Sequence, residues 1–204
     1  MSILVVGSVA LDTVKTPFGE VTDALGGSAS YFSIAASYFS DVNLVAVVGE
    51  DFPLQHVELM KKRNIDLEGL QYLPGRTFRW SGEYGYDLNE AKTLSTCLNV
   101  FEDFRPKIPD AYRDSRYVFL ANIDPELQLE VLKQVREPEL VAMDTMNFWI
   151  EKKPEELSET LSHVHILVIN EAETRQLTGE YHLQRAARTL LGWGPRALVI
   201  KRGS

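Results

Sequence analysis

Polar residues that could do chemistry follow several apolar runs of this chain. They are Asp12, Asn122, Asp124, Asp144, Asn147, Asn170, Glu173 and the segment Lys201 to Gly203. In an open parallel sheet, ligands bind beyond the carboxyl ends of the strands. We therefore expect these side chains to gather at one edge of a sheet and to outline a polar pocket there.

A second stretch with chemical potential, Gly26-Gly27-Ser28, opens a run of small residues that extends to Ser37. The adjacent glycines predict a turn with positive φ or close backbone approach. The run after them predicts a helix with Ser28 as its N-cap, whose unpaired first-turn N–H groups would suit a hydroxyl-rich or anionic ligand. The same pattern is typical of a tight loop that packs a small-residue helix onto a sheet, and both interpretations stay open.

Each acidic candidate also has a structural interpretation. Asp124, which is followed by a proline, has the pattern of a helix cap. Asn170 and Glu173 have the spacing of a capping box, with asparagine in place of the usual serine or threonine. Asp12 could satisfy the backbone of a neighbouring hairpin. Asp144 is harder to explain in this way, because a carboxylate that ends an apolar strand must be solvated, paired or used.

Several enzyme classes are disfavoured by what the sequence lacks. The first apolar run is not followed by the spaced glycines of a dinucleotide-binding loop, and neither a phosphate-loop lysine motif nor a glycine-flanked nucleophilic serine occurs. His163 and His165 have no third ligand at a recognisable spacing, which favours packing or surface roles over a metal site. Cys97 is the only cysteine, so no internal disulfide can form, and a packed or lightly exposed thiol in a reducing compartment is favoured.

Composition and length limit the remaining classes. The 204 residues, of which 45% are hydrophobic and 25% charged, predict a single globular domain over residues 1–204. The net charge of −8 disfavours nucleic acid and anionic membranes as partners. The chain starts directly with a strand and contains no apolar run long enough to span a bilayer, so we expect a cytoplasmic protein.

Strands alternate with helices along most of the chain, which predicts an α/β fold with a mostly parallel sheet. The predicted strands are residues 3–6, 44–48, 117–121, 140–144, 166–169 and 197–201. The first predicted helix begins at Ser28. The others span residues 54–64, 125–136, 154–162, 171–177 and 183–191. No crossover helix follows the last strand. Because a parallel sheet needs both faces covered, we expect the C-terminal part of the fold to be missing from this chain.

Two segments, residues 11–25 and 77–100, have the alternation of β-hairpins. Their turns are predicted at residues 17–19 and 87–90, and one face of the second hairpin carries Phe78, Trp80, Tyr84 and Tyr86. An isolated hairpin is barely stable in water, so this aromatic face must cover the first hairpin, a ligand mouth or another subunit. A lid built from both hairpins is the simplest interpretation. Its aromatic face is also a candidate surface for a homodimer.

Four stretches, in this order, resemble the ribokinase-like (pfkB) carbohydrate kinase family. Residues 6–12 resemble the first strand with its substrate-binding aspartate, and residues 26–36 resemble the diglycine signature. Residues 169–179 resemble the Asn-x-x-Glu region, and residues 199–204 resemble the strand and glycine turn near the nucleotide. The likeness extends from residue 2 to the last residue, and the combination of motifs is fairly specific.

The resemblance implies a doubly wound α/β domain with helices on both faces and a small β-sheet lid. It also implies an ATP-dependent kinase that uses Mg²⁺ and phosphorylates a hydroxyl of a sugar or nucleoside. The implied substrate-binding residues are Asp12, Gly26, Gly27, Ser28, Tyr31 and Asn122. The implied residues for the nucleotide and its magnesium-bound phosphates are Asn170, Glu173, Arg202 and Gly203. Tyr31 stands where many sugar-binding members have asparagine, so we expect different acceptor contacts.

The sequence lacks the family's second signature, a glycine-rich turn that ends in Gly-Ala-Gly-Asp and supplies the catalytic base. The resemblance therefore implies that this aspartate lies beyond residue 204. We expect no turnover by residues 1–204 alone, because phosphoryl transfer depends on positioning and charge stabilisation around the γ-phosphate. The alternative is a non-catalytic module on the same fold that binds a polyol, a nucleoside or another chain. A flavodoxin-like binding domain is a weaker third interpretation, which the two hairpins make awkward.

Overall fold

The computed structural model describes residues 2–86, 88 and 91–203. Its strands are β1 Ser2–Val6, β2 Ala10–Thr16, β3 Gly19–Gly26, β4 Asp41–Gly49, β5 Ile65–Leu73, β6 Arg79–Tyr84, β7 Ala91–Cys97, β8 Tyr117–Leu120, β9 Leu140–Asp144, β10 Ile166–Asn170 and β11 Ala197–Lys201. Its helices are α1 Ser28–Ala36, α2 Leu54–Lys62, α3 Pro125–Gln134, α4 Asn147–Lys152, α5 Pro154–Ser162, α6 Glu171–Thr178 and α7 Leu183–Leu191. Across these ranges, no helix combines the length and apolar character needed to cross a bilayer.

Seven strands form a parallel sheet in the order β11-β10-β9-β8-β1-β4-β5. The alternation of β1 shows how the sheet is buried on both sides, since Leu4 and Val6 pack in one apolar core while Val5 packs in another. Side chains of α3, α5 and α7 belong to the first core, and side chains of α1 and α2 belong to the second. The predicted doubly wound fold is therefore confirmed.

The two predicted hairpins form a separate four-stranded sheet in the order β3-β2-β6-β7, which we call the lid sheet. The pairs β2–β3 and β6–β7 are antiparallel, and parallel pairing of β2 with β6 joins the two hairpins. The first predicted turn lies between β2 and β3. The second includes Asp87, Asn89 and Glu90, which lie outside the described residues.

Arg79 connects the lid sheet to the main sheet. Its guanidinium donates hydrogen bonds to Asp23 on β3 and, at 2.9 Å, to Asp51, which follows β4. Asp51 also accepts from the backbone N–H and the hydroxyl of Thr77, each at 2.7 Å. Because Thr77 lies just before β6, this network fixes the chain where it passes from the main sheet into the lid sheet.

Three local features of the structure differ from what the sequence analysis predicts. The edge strand β5 was not predicted, because Gly69 interrupts its alternation; a Cβ there would lie 2.6 Å from Val45 Cγ2 on β4. The helix α4 has only six residues, too few for a periodic pattern to emerge. The strand predicted to reach residue 100 ends at Cys97, whose side chain is exposed, and residues Asn99–Phe101 form a 3-10 helix instead.

Candidate active site between the lid sheet and the edge of the main sheet

The Asp12 carboxylate lies directly against the backbone of Gly26. A Cβ built on Gly26 would lie 2.0 Å from Asp12 Oδ2, so only glycine leaves room for the carboxylate. The neighbouring Gly27 has a φ of 88°, and its backbone N–H hydrogen-bonds the carboxylate. A Cβ on Gly27 would lie 2.3 Å from the backbone oxygen of Ser8. The predicted positive φ and close backbone approach are therefore both present in this turn.

Burial raises the pKa of Asp12 to about 6, although the Gly27 hydrogen bond opposes the shift. The pKa of the Tyr31 phenol is also raised, first by burial and then by the charges of Asp12 and Tyr84. Tyr31 of the main domain therefore lies in one electrostatic neighbourhood with Asp12 and Tyr84 of the lid sheet. Tyr31 is still 61% exposed, so this neighbourhood opens to solvent.

The prediction that Ser28 caps α1 is wrong. The N-cap residue is Gly27, and no side chain caps the helix. The Ser28 hydroxyl instead accepts a hydrogen bond from the backbone N–H of Asn122 at 2.8 Å. Two of the first-turn N–H groups are also occupied, since those of Ser28 and Ala29 donate to the hydroxyl and carbonyl oxygens of Ser8. This turn therefore presents fewer free donors to a phosphate group than its sequence predicts.

Asn122 follows β8, and its side chain is held by residues from the segment after β9. The indole Nε1 of Trp149 donates to Asn122 Oδ1 at 2.9 Å, and Asn122 Nδ2 donates to Met146 Sδ at 3.0 Å. Sequence analysis did not identify either partner. The only sequence feature that could have identified Met146 and Trp149 is their position just after β9. Apolar residues at such a position are not distinctive.

Asp144 ends β9, and its Oδ1 atom is buried without a hydrogen-bond partner among the described residues. Burial raises its pKa to about 7, against the attraction of Lys201 and together with the repulsion of Glu173. An unpartnered buried carboxylate oxygen is costly, and a cation beside it would remove much of that cost. The prediction that this acid requires a functional explanation is consistent with this environment.

Asn170 and Glu173 form the capping box that their spacing predicts at the start of α6. Asn170 Oδ1 accepts from Glu173 N at 2.7 Å, and Glu173 Oε2 accepts from Asn170 N at 3.0 Å. The pKa of Glu173 is raised, chiefly by burial and against the Asn170 hydrogen bond and the Lys201 charge. The structural interpretation of this motif is thus correct, and its role toward a nucleotide stays a prediction.

Beyond β11, Arg202 pairs with a carboxylate of α6. Its Nε donates to Glu171 Oε2 at 3.0 Å, and Arg175 donates to the other oxygen of the same carboxylate at 2.6 Å. Gly203 follows with a φ of 79°. Glu171, Arg175 and Arg202 line a groove of about 360 Å³. The groove also contains Tyr181, over whose ring Arg175 stacks. The contact of Arg202 and Gly203 with phosphates stays a prediction.

The other predicted features have structural explanations. Asp124 accepts from Glu126 N at 3.1 Å and so caps α3, as predicted, and it also accepts from Lys153 Nζ at 2.7 Å. His165 Nδ1 accepts from Val141 N at 3.0 Å, which is the packing role that the sequence favoured. Within the described ranges, no group of three or more His, Cys, Asp or Glu residues could hold a metal by itself.

Comparisons with known proteins agree with this architecture. The family model described as pfkB family carbohydrate kinase matches residues 2–204. The cytidine kinase of Thermococcus kodakarensis is 29% identical over 208 residues, which cover all of this chain and 73% of that protein.

Solved structures share the fold at lower identity. The nucleoside kinase of Methanocaldococcus jannaschii has a TM-score of 0.73 at 20% identity, covering 100% of this chain and 71% of that one. The fructokinase of Halothermothrix orenii has a TM-score of 0.77 at 14% identity, covering 98% and 79%. The aminoimidazole riboside kinase of Salmonella enterica, solved with aminoimidazole riboside and an ATP analogue, has a TM-score of 0.72 at 15% identity, covering 99% and 71%. With its family match over nearly every residue, the chain belongs to the pfkB family of carbohydrate kinases.

Proposed function

We propose that this chain binds a sugar or nucleoside between its lid sheet and main sheet and positions one hydroxyl for phosphorylation by ATP. The observation that carries the proposal is the half-buried Asp12 carboxylate, which lies on Gly26 and accepts from the N–H of Gly27. The related cytidine kinase, at 29% identity, supports a nucleoside or a sugar as acceptor.

Asp12 would accept hydrogen bonds from two neighbouring hydroxyls of the acceptor. Such bonds to an ionised carboxylate are stronger than bonds between neutral groups. The Gly27 N–H keeps the carboxylate oriented before the acceptor binds. Tyr31 and Asn122 would contact the rest of the acceptor, the former as a phenol at the mouth and the latter through the side chain that Trp149 holds.

On the opposite side of the site, the acids at the ends of β9 and β10 would face the magnesium-bound phosphates of ATP. Mg²⁺ commonly binds through one or two carboxylates together with substrate phosphates, and it supplies neutralisation of phosphate charge. The unpartnered Oδ1 of Asp144 and the half-buried Glu173 carboxylate suit such a cation. We propose that Asp144, Asn170 and Glu173 help to order it, with Lys201, Arg202 and Gly203 near the phosphates.

We further propose that the catalytic base is supplied from outside residues 1–204, because the sequence contains no Gly-Ala-Gly-Asp turn. The test is a comparison of ATP-dependent phosphorylation by this chain and by the product of the complete reading frame, over a panel of sugars and nucleosides. We expect turnover from the latter alone. Acceptor binding without turnover by both proteins would assign the non-catalytic binding module instead.

Exposed apolar side chains of the lid sheet support a proposal about assembly. Phe18, Val21 and Leu94 are at least half exposed, and Phe18 makes an edge contact with Tyr86 at 6.1 Å between ring centroids. We propose that two copies pair through these side chains. Sedimentation of wild type and Phe18→Ser at matched concentrations tests this, with a dimer expected for the former and a monomer for the latter.

The exposed free thiol of Cys97 suits the reducing cytoplasm that we propose as the location.

A further inference from the structure

We propose that the indole of Trp80 is a stacking platform for a flat heteroaromatic ring, so that the acceptor of this site is a nucleoside and not a free sugar. The inference rests on the proposed function of the site and names its substrate class. It is carried by the way in which the lid sheet holds this ring on the same face as Asp12.

The six-membered ring of the indole lies over a position that only glycine can occupy. A Cβ on Gly82 would lie 2.1 Å from Cη2 and 2.4 Å from Cζ2 of Trp80, so the six-membered ring covers the Gly82 backbone, which is buried. The β6–β7 pairing shifts register between Ser81 and Gly82, and such irregularities redirect side chains. One face of the ring is therefore packed on main chain.

The rotation of the ring is also restrained. Trp80 Nε1 donates to the hydroxyl of Thr93 on β7 at 3.3 Å. The side chain as a whole is only partly buried, so it keeps solvent-accessible surface although its lower face is covered. A ring that is supported below, hydrogen-bonded at its edge and open elsewhere loses little conformational freedom when a ligand stacks on it.

The ring lies on the same side of the lid sheet as Asp12. The two residues are direct register partners of the parallel strands β2 and β6, and partners in a parallel pair point to the same face. The backbones of adjacent strands are about 4.8 Å apart, and the carboxylate lies on Gly26 while the ring lies on Gly82. Tyr84, further along β6, acts electrostatically on Tyr31 together with Asp12, so it contributes to the same neighbourhood.

The side chains of this neighbourhood distinguish two kinds of acceptor. A free sugar carries hydroxyls around its whole ring, and each buried hydroxyl needs a partner. Here Asp12 supplies a carboxylate, Asn122 already bonds Trp149 and Met146, and Tyr31, Trp80 and Tyr84 supply aromatic rings. A nucleoside suits this set, because its ribose hydroxyls need only a few polar partners and its base has a flat face. Stacking of one base on an aromatic side chain is worth on the order of tenfold or more in affinity.

Isothermal titration of cytidine, adenosine and ribose into the 204-residue chain tests the inference, with the variants Trp80→Ala, Trp80→Phe and Trp193→Phe. We expect wild type to bind a nucleoside at least about tenfold more tightly than ribose. Trp80→Ala should lose that advantage and leave ribose affinity unchanged, Trp80→Phe should keep most of it, and Trp193→Phe should resemble wild type. Phenylalanine keeps the packing on Gly82, so a folding defect in the alanine variant does not obscure the result.

Ribose binding as tight as nucleoside binding, or equal losses for both ligands in Trp80→Ala, would overturn the inference. Binding of neither ligand by wild type would overturn it together with the proposed acceptor site. Trp80-dependent nucleoside binding without phosphoryl transfer by the complete reading frame would support the platform and contradict the kinase function, so the two proposals fail separately.

Discussion

Asp12 and Gly26 occupy neighbouring strands of the lid sheet so closely that the carboxylate fills the space of the missing side chain. A Cβ on Gly26 would meet all three carboxylate atoms at 2.0 to 2.5 Å. The diglycine turn therefore serves to seat an acidic side chain at the site, in addition to turning the chain. On this basis we propose that the turn lies on the acceptor side of the reaction.

Gly26→Ala should displace the Asp12 carboxylate and weaken acceptor binding by about tenfold or more, because an added methyl cannot share its volume. Titration calorimetry with the best-binding acceptor measures this. Gly192→Ala is a matched control, since Gly192 is a helix C-cap with a φ of −72° and a Cβ there would lie 3.2 Å from Thr189 O. Equal acceptor affinity in wild type and Gly26→Ala would show that Asp12 does not need this seat.

Asp12→Asn should stabilise the unliganded protein above pH 6 and weaken acceptor binding. The folded-state pKa of about 6 exceeds the ordinary value of 3.8, so this group favours the native state when protonated, and that contribution is lost as pH rises through about 6. Removing the charge should raise stability by roughly 2 kcal/mol at pH 7.5, or about 5 °C in Tm, with the gain shrinking toward pH 4.

Thermal denaturation of both proteins between pH 4 and pH 8 measures that difference. A Tm difference independent of pH would mean that Asp12 is not a desolvated carboxylate in the folded protein. Acceptor affinity of wild type should fall below pH 6 for the same reason, because a protonated Asp12 accepts fewer hydrogen bonds from hydroxyls.

Sequence analysis succeeded where local signals determine the structure. The strands β9 and β11 and the helices α5 and α7 match their predicted bounds, and Asp124 caps α3 as expected. It failed where a residue distant in the sequence determines the local structure. Ser28 has the propensity of a cap, yet its hydroxyl accepts from Asn122, 94 residues away in sequence.

The same contrast applies to the candidate site. Asp12 and the glycines could be identified because acids and adjacent glycines after a strand are distinctive residue types. The supports of the site could not be identified, because Ser8, Trp149 and Thr93 have ordinary local patterns and acquire their roles through tertiary contacts. Even Asp144 was recognised only as an acid that lacked a structural explanation.

Trp149→Phe should weaken acceptor binding by about two- to tenfold without a large loss of stability. The substitution keeps an aromatic ring but removes the 2.9 Å hydrogen bond to Asn122 Oδ1, so the amide loses its orientation. Trp193→Phe is the control, because Trp193 packs against the apolar core that contains Leu4 and Val6. The interpretation fails if both variants bind the acceptor as wild type does.

Asp144→Asn should raise Tm at pH 8 by several degrees and raise the KM for Mg·ATP of the complete reading frame by about tenfold or more. Burial lifts the pKa of Asp144 to about 7, so its ionised form destabilises the unliganded protein above that pH, and the amide removes this cost. A stabilised variant with an unchanged KM for Mg·ATP would separate Asp144 from the nucleotide.

Transfer of phosphate from [γ-³²P]ATP to a hydroxyl acceptor, followed by chromatography, tests the central claim most directly. The complete reading frame should label at least one nucleoside or sugar of the panel, and Asp12→Asn should reduce kcat/KM for that acceptor by about ten- to a hundredfold. Failure of the wild-type protein to label any acceptor, or full activity of Asp12→Asn, would contradict the account.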